Sequence, residues 1–379
     1  MYNTAEHLPI GYKIGNHYKI EKVLGQGGFG IVYLVRDEHQ LDKVLVIKEL
    51  FSKEFSFRNQ ENRHVSNKIK AKNLFVKIKE GIIREVNILS KIRNKNVVKA
   101  YGYLQENNTL YSIMEYIEGD DLGKIIDKEG IFSESEAKKL LQQLIDGLKE
   151  IHKQDIIHRD VKPNNIMKTP QGVYKLIDFS TNKKYSDNSM SAITGFTNHI
   201  FTSPELQETR AVIGKYSDIY SMGMTILRVL STEERLPNLT DRLTDPSNDS
   251  NFYHYIDVLN ISNDFKQIIK KMTELKKENR YQNLKELEDA FIKKEDNIEG
   301  IKTEIVDFLQ TPEKRAKSSL IQKEKPPKAF KKREKPKEEI AVPKKEEFDI
   351  NSFIEKSIKA LIGIVAILSV VALGLYVIK

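Results

Sequence analysis

The stretch Gly25-Gln26-Gly27-Gly28-Phe29-Gly30 limits the fold more than any other part of this 379-residue chain. Glycines at this spacing let a backbone approach phosphate oxygens without a clash. The residues after them decide the architecture. A dinucleotide-binding fold would continue into a helix. Here Ile31-Val32-Tyr33-Leu34-Val35 continues as a strand pattern, after a strand-like Tyr18–Leu24. Two readings remain at this point: a glycine-rich hairpin without a ligand, and a strand–loop–strand flap over nucleotide phosphates.

The surrounding pattern is a sheet-rich half followed by a larger helical half. Tyr18–Leu24, Ile31–Val35, Val44–Lys48, Val98–Leu104 and Leu110–Met114 are short Val-, Ile- and Tyr-rich runs bounded by turn residues, hence strands. Glu106-Asn107-Asn108 predicts a hairpin turn between the last two. A helical period covers Ile82–Leu89. After Gly119 helices dominate. Ser133-Glu134-Ser135-Glu136 predicts a capping box ahead of the stripe Leu140, Leu141, Leu144, Ile145 and Leu148. This is an α+β plan, and clefts between such halves hold ligands.

Chemistry-bearing residues recur along it. Lys48 ends the apolar run Val44-Leu45-Val46-Ile47 and can meet phosphates if a carboxylate holds it; Glu85 is the leading candidate and Glu80 a weaker one. In His158-Arg159-Asp160-Val161-Lys162-Pro163-Asn164-Asn165, Asp160 can accept a hydroxyl proton and Lys162 can stabilise a moving phosphoryl group. Asn165 can bind a metal ion, and His158 reads as a packed structural residue. Leu176-Ile177-Asp178-Phe179 ends an apolar strand in a carboxylate suited to Mg²⁺.

These pieces, in this order, resemble the protein-kinase signature set over about residues 18–295, most closely that of bacterial (eukaryotic-like) serine/threonine kinases. The resemblance implies a two-lobed kinase fold, with an N-lobe at about 18–117 and a C-lobe at about 118–295. It implies a nucleotide site of Gly25, Gln26, Gly27, Gly28, Phe29, Gly30, Val32, Lys48, the hinge residues Glu115 and Ile117 after Met114, and Asp121 at the ribose. It further implies a Lys48–Glu85 ion pair, Asp160 as base, Lys162 as catalytic lysine, and Asn165 and Asp178 as ligands for Mg²⁺ or Mn²⁺. Asp218 resembles the residue bracing the catalytic loop, and Arg280 the buried partner of Glu205 in Ser203-Pro204-Glu205. The implied reaction is transfer of the ATP γ-phosphoryl group to Ser/Thr hydroxyls of proteins, with autophosphorylation within 178–205 at Thr194 or Thr197, and a homodimer for doing so in trans.

Several positions depart from the pattern. Ser180 replaces the glycine after Asp178-Phe179, where positive φ disfavours a Cβ. Val46 and Ser203 replace alanines. Lys48 and Glu85 are 37 residues apart, and Phe51–Glu80 between them resembles an extension in a bacterial subgroup, for which a mobile basic loop is as fair a reading as a functional part. A pseudokinase scaffold and a small-molecule phosphotransferase are the rivals. The first rests on Ser180 alone, and Ser203-Pro204-Glu205 with Asp218 argues against the second.

Composition matters mainly for the last eighty residues. Residues 1–17 form an N-terminal extension without a secretory signal pattern, and the absence of Cys excludes disulfides and thiol chemistry. The net charge of +8 suggests a nucleic-acid or membrane partner. Thr311–Lys345 holds 13 Lys/Arg, 5 Glu and five of the 11 prolines, so it carries a surplus equal to that of the whole chain. With one aromatic, Phe330, for base stacking, it argues for no nucleic-acid partner and for a disordered linker, 296–359, that favours an anionic leaflet. Ala360–Ile378 is uncharged and apolar over 19 residues, about 28 Å as a helix, the length of a membrane span. Lys356 and Lys359 on its N-terminal side predict a single-pass C-terminal anchor in the cell membrane with the preceding residues cytoplasmic.

Overall fold

A computed structural model describes residues 6–179, 200–207, 212–231 and 239–292. The chain divides into two units, 1–310 and 311–379. The second unit, with the basic linker and the expected membrane helix 360–378, lies outside the described residues. Among the described residues no helix is long and apolar enough to cross a membrane.

The sheet-rich half contains β1 (Lys13–Ile14), β2 (Tyr18–Gln26), β3 (Gly30–Asp37) and β4 (Lys43–Leu50). A short hairpin comes next, β5 (Ser56–Arg58) and β6 (Val65–Asn67), then helix α1 (Lys72–Leu89), β7 (Ala100–Glu106) and β8 (Thr109–Glu115). The main sheet runs β1-β2-β3-β4-β8-β7, antiparallel throughout. The β7–β8 turn is the expected hairpin: Asn107 and Asn108 sit at φ 52° and 58°, the left-handed pair of a type I′ turn that Asn tolerates.

Period-two alternation assigns each residue of β3 and β4 a face. Val32, Leu34, Val46 and Lys48 are half-buried on one face. Ile31, Tyr33, Val35, Leu45, Ile47 and Glu49 are buried on the other. That second face is roofed by two segments read from sequence as peripheral. Leu8 and Ile14 come from the N-terminal stretch and Phe51 and Val65 from the extension, and all four join one core cluster with the sheet. The lobe therefore begins before residue 18, since β1 pairs with β2 through Ile14 and Tyr18. The mobile-loop reading of 51–80 is corrected likewise. Phe55 joins Phe75 and Ile78 of α1 in a further cluster, and each buried side chain of this size is worth about 1.5–3 kcal/mol, enough to order a segment of basic composition.

The helical half contains β9 (Asp120–Asp121), α2 (Leu122–Glu129), α3 (Glu134–His152), β10 (Ile166–Lys168), β11 (Tyr174–Leu176), α4 (Lys215–Leu230), α5 (Leu239–Thr244), α6 (Pro246–Val258) and α7 (Asn263–Met272). Its core is the α3 stripe, Leu140 to Leu148, packed with α4 and α7. Half of the expected capping box forms: Ser133 Oγ accepts from Glu136 N–H at 3.2 Å. The Glu136 carboxylate is drawn instead to stronger partners, the Tyr174 hydroxyl and the Lys168 ammonium.

Candidate active site

The glycine loop is the turn between β2 and β3, closed by Gly27 N–H on Gly30 O at 2.8 Å. Gly30 is in a tight place: a Cβ there would lie 3.0 Å from Glu49 O and 3.1 Å from Lys48 Cε. Val32 pairs in register with Lys48, and both face the cleft side of the sheet. The chain leaves the sheet at the end of β8, where Met114 and Glu115 still pair with Val46 and Leu45 of β4. The Glu115 N–H donates to Lys99 O, and its carboxylate accepts from Lys99 N–H and Lys175 Nζ. Ile117 is buried in the helical half's core cluster. Gly119, at φ +136°, lets the crossing chain lie against Lys168; a Cβ there would sit 2.0 Å from the Lys168 carbonyl oxygen. Asp121 caps α2, accepting from Lys124 N–H, and pairs with Lys124 Nζ at 2.9 Å.

Lys48 is held by a carboxylate that the sequence reading assigned to the metal, Asp178. Its ammonium donates to Asp178 Oδ1 at 2.5 Å. Asp178 sits at φ +59°, in the left-handed region. Glu85 is buried at 6% exposure on α1.

The catalytic-loop candidates do come together. Asp160 Oδ2 accepts from Lys162 Nζ at 2.7 Å and from Asn165 Nδ2 at 2.8 Å, and Asn165 Nδ2 also donates to Asp160 O. Among the described residues both side-chain bonds fall on Oδ2, which leaves Oδ1 to accept a hydroxyl proton. Ile177 N–H on Asn165 O, at 2.9 Å, ties the Asp178 strand end to this loop.

Asp218 on α4 holds the loop from beneath. Its fully buried carboxylate accepts from the N–H groups of His158 (2.9 Å) and Arg159 (2.7 Å) and is bonded to His152 Nε2 (2.7 Å). Burial pushes the Asp218 carboxyl up. The bond to His152, the pull of that ring and the Arg159 N–H outweigh it and hold the group below its ordinary range. Arg159 sits at φ +66°, a conformation costing a non-glycine residue about 1–2 kcal/mol, and the Asp218 bond to its N–H opposes that cost. Burial pushes His158 down, against the pull of Asp218, Asp160 and Asp178, so its ring is neutral and packs on Phe179 at 4.5 Å. Below, Arg280 grips Glu205 through two parallel bonds of 2.8 and 2.9 Å, and Ser217 Oγ donates to the same carboxylate. Ser180 and the candidate phosphorylation sites Thr194 and Thr197 lie outside the described residues.

Sequence reading missed Glu49, Arg58 and His152. Glu49 is wholly buried beside Lys48. Its carboxylate accepts from Tyr33 OH, Tyr111 OH (2.9 Å each) and Arg58 Nη2 (2.6 Å), and the Arg58 side chain is itself fully covered. A charge at an inward position of an otherwise apolar alternation, Leu45-x-Ile47-x-Glu49, was the available signal.

A glycine turn between two strands, a lysine–aspartate pair and a carboxylate held by a lysine and an asparagine lie in a two-lobed fold. Residues 18–292 match the protein kinase domain, and the chain belongs to that family. It is 30% identical over 223 residues to the serine/threonine-protein kinase PrkC of Bacillus subtilis, covering 59% of this chain and 31% of that protein. It is 28% identical over 291 residues to serine/threonine-protein kinase B of Synechocystis sp. (73% of this chain, 46% of that protein). A plant relative, MAP3K epsilon protein kinase 1 of Brassica napus, is 29% identical over 230 residues (60% and 16%). The chain thus spans less than half the length of each of these curated relatives. The solved structure of the PpkA-294 apo form shares the fold, with a TM-score of 0.64 and 24% identity over 76% of this chain and 99% of that one.

Proposed function

We propose that this chain transfers the γ-phosphoryl group of ATP to Ser or Thr hydroxyls of protein substrates. The observation that carries this reading is the Asp160 carboxylate, fixed through one oxygen by Lys162 and Asn165. Asp160 Oδ1 orients the acceptor hydroxyl and takes its proton. Lys162, 2.7 Å from the same carboxylate, offsets charge on the moving phosphoryl group. Lys48 meets the α- and β-phosphates, under the glycine loop's N–H groups. Such positioning and charge stabilisation supply most of the rate in this chemistry. Asn165 and Asp178 offer one amide and one carboxylate oxygen, a hard donor set that fits Mg²⁺ and also Mn²⁺. When bound, the ion neutralises charge on the β- and γ-phosphate oxygens. Lys162, together with the serine/threonine kinases among the relatives, supports Ser/Thr over Tyr.

The test is transfer from labelled ATP to a generic protein. Wild-type label well above that of Asp160→Asn supports the reading, and equality with it rejects it. We infer further that Ala360–Ile378 anchors the chain in the cell membrane beside the basic linker, with the kinase domain on the cytoplasmic side. Its length and lack of charge support this, and a chain truncated at 359 that stays in the membrane fraction would overturn it. Autophosphorylation of Thr194 or Thr197 in trans, with Arg159 as phosphate partner, completes the proposal; mass spectrometry of active protein lacking phosphate in 178–205 would reject it.

A further inference from the structure

Two segments outside the signature motifs hold the glycine loop from opposite sides. On the outgoing arm, Gln26 Nε2 donates to Glu6 Oε2 at 2.8 Å, and Gln26 Oε1 is bonded to His7 Nε2 at 3.0 Å. On the returning arm, Phe51 N–H donates to Phe29 O (3.2 Å) and Lys53 N–H to Gly28 O (3.1 Å). The β3–β4 ladder therefore runs past its last register pair, Gly30–Leu50, into the loop itself. The Phe29 side chain packs on the cluster of Leu50, Phe55, Phe75, Ile78 and Leu110, which belongs jointly to the extension, α1 and β8.

The two holding segments are bonded to each other. Arg58 Nε donates to Glu6 O at 2.7 Å, Arg58 Nη1 to Arg63 O at 3.0 Å, and Arg58 Nη2 to the buried Glu49. Leu8 N–H donates to Tyr33 OH, which donates to the same Glu49. A continuous path of hydrogen bonds thus leads from Gln26 through Glu6 and Arg58 to Glu49, the residue after Lys48.

We propose that Glu6 and the extension 51–68 are positioning elements for the nucleotide loop. They pre-order it over the phosphate position and couple it to α1, with Glu6 and Phe55 as the residues through which they act. A loop already held in place loses less conformational freedom on binding, so its affinity for nucleotide rises. This rests on the nucleotide-binding reading of Gly25–Gly30, and the experiment separates the two.

The experiment uses the full chain with Glu6→Ala, Glu6→Gln and Phe55→Leu, against wild type. Two quantities are read: the Kd for a fluorescent ATP analogue with Mg²⁺, and hydrogen exchange at the amides of residues 24–30, 51 and 53 without nucleotide. Glu6→Ala is expected to raise Kd about fivefold, the net worth of one ordinary hydrogen bond. It should speed exchange in the loop while leaving the unfolding midpoint within about 2 °C. Glu6→Gln should restore both readouts, because an amide oxygen accepts the same bond from Gln26. Phe55→Leu should speed exchange at Gly28–Gly30. Kd and exchange both at wild-type values in Glu6→Ala would overturn the proposal, as would a fall in midpoint that accounts for the whole effect. Faster exchange in a protein whose wild type binds no nucleotide would support the positioning role and reject the nucleotide reading instead.

Discussion

The catalytic loop and the nucleotide loop face the same reaction but are held by opposite means. The catalytic loop, 158–165, hangs from the core. Asp218, fully buried on α4, grips the N–H groups of His158 and Arg159, and Asp160 is fixed by its own neighbours Lys162 and Asn165. The nucleotide loop, 25–30, hangs from the periphery: Glu6 and His7 on one arm, Phe51 and Lys53 on the other. The first arrangement uses residues inside the signature and the second residues outside it. A phosphoryl acceptor must be placed to a fraction of an ångström, whereas a phosphate-covering flap needs only its freedom curtailed, and borrowed segments suffice for that.

The sharpest break in this comparison is Asp160→Asn, which removes the proposed base while preserving shape. The expected fall in kcat is about 10²–10⁴-fold at an unchanged unfolding midpoint, read from initial rates and calorimetry together. A comparable loss of stability would mean that the loop's chemistry and its support are not separable. Next is Arg58→Ala, which strands Glu49 in a dry core. Burial pulls the Arg58 guanidinium down, but the Glu49 charge and bond outweigh that and raise it, so the guanidinium keeps its charge. Removing one partner of such a pair costs about 3–5 kcal/mol, measured by denaturant unfolding. A cost near that of an exposed pair such as Lys153–Glu150, below about 1 kcal/mol, would show that the peripheral bracket carries little.

Asp218→Asn comes third. It keeps the side-chain shape and loses the charge that two backbone donors and His152 share, an effect of about 1.5–3 kcal/mol with a loss of kcat through Arg159's left-handed turn. The smallest effect is the response to pH. His158 is held below its unfolded value, so the unfolded chain binds the proton first. Its contribution is fully present above about pH 6.5 and is lost as pH falls from there through the folded value, by about 1.4 kcal/mol per unit at most. Asp218 is also held low, and its contribution is lost only at more acid pH, below the usual carboxylate range near 4. Stability curves of wild type and His158→Gln between pH 7 and 5 should diverge accordingly. Parallel curves would place the acid response elsewhere.

Much of this site was legible in the residues. The strand after Gly30, the lysine closing an apolar run, the hairpin at Asn107-Asn108 and the grouping of Asp160, Lys162 and Asn165 all come from local rules of period, turn chemistry and charge. The Lys48–Asp178 contact does not come from those rules. Spacing along the chain says that Glu85 is on a helix but not how that helix is seated, nor that Asp178, 130 residues on, reaches the Lys48 ammonium. The extension was opaque for another reason. Its basic residues dominate its composition, while the four side chains that order it, Phe51, Phe55, Arg58 and Val65, show no period because each contacts a different neighbour.

The sequence alone determined the family-defining chemistry, because those residues act within a few positions of one another or end elements whose pattern is local. It also determined where the positive charge resides, Thr311–Lys345, since composition needs no fold. Only the tertiary structure decided which carboxylate holds Lys48, that an acid next to it is buried against an arginine nine residues on, and that the N-terminal segment reaches the glycine loop. Burial makes the difference. A charge or an amide is silent in sequence until water is removed from around it, and only the packed chain shows which groups lose their water and must therefore find each other.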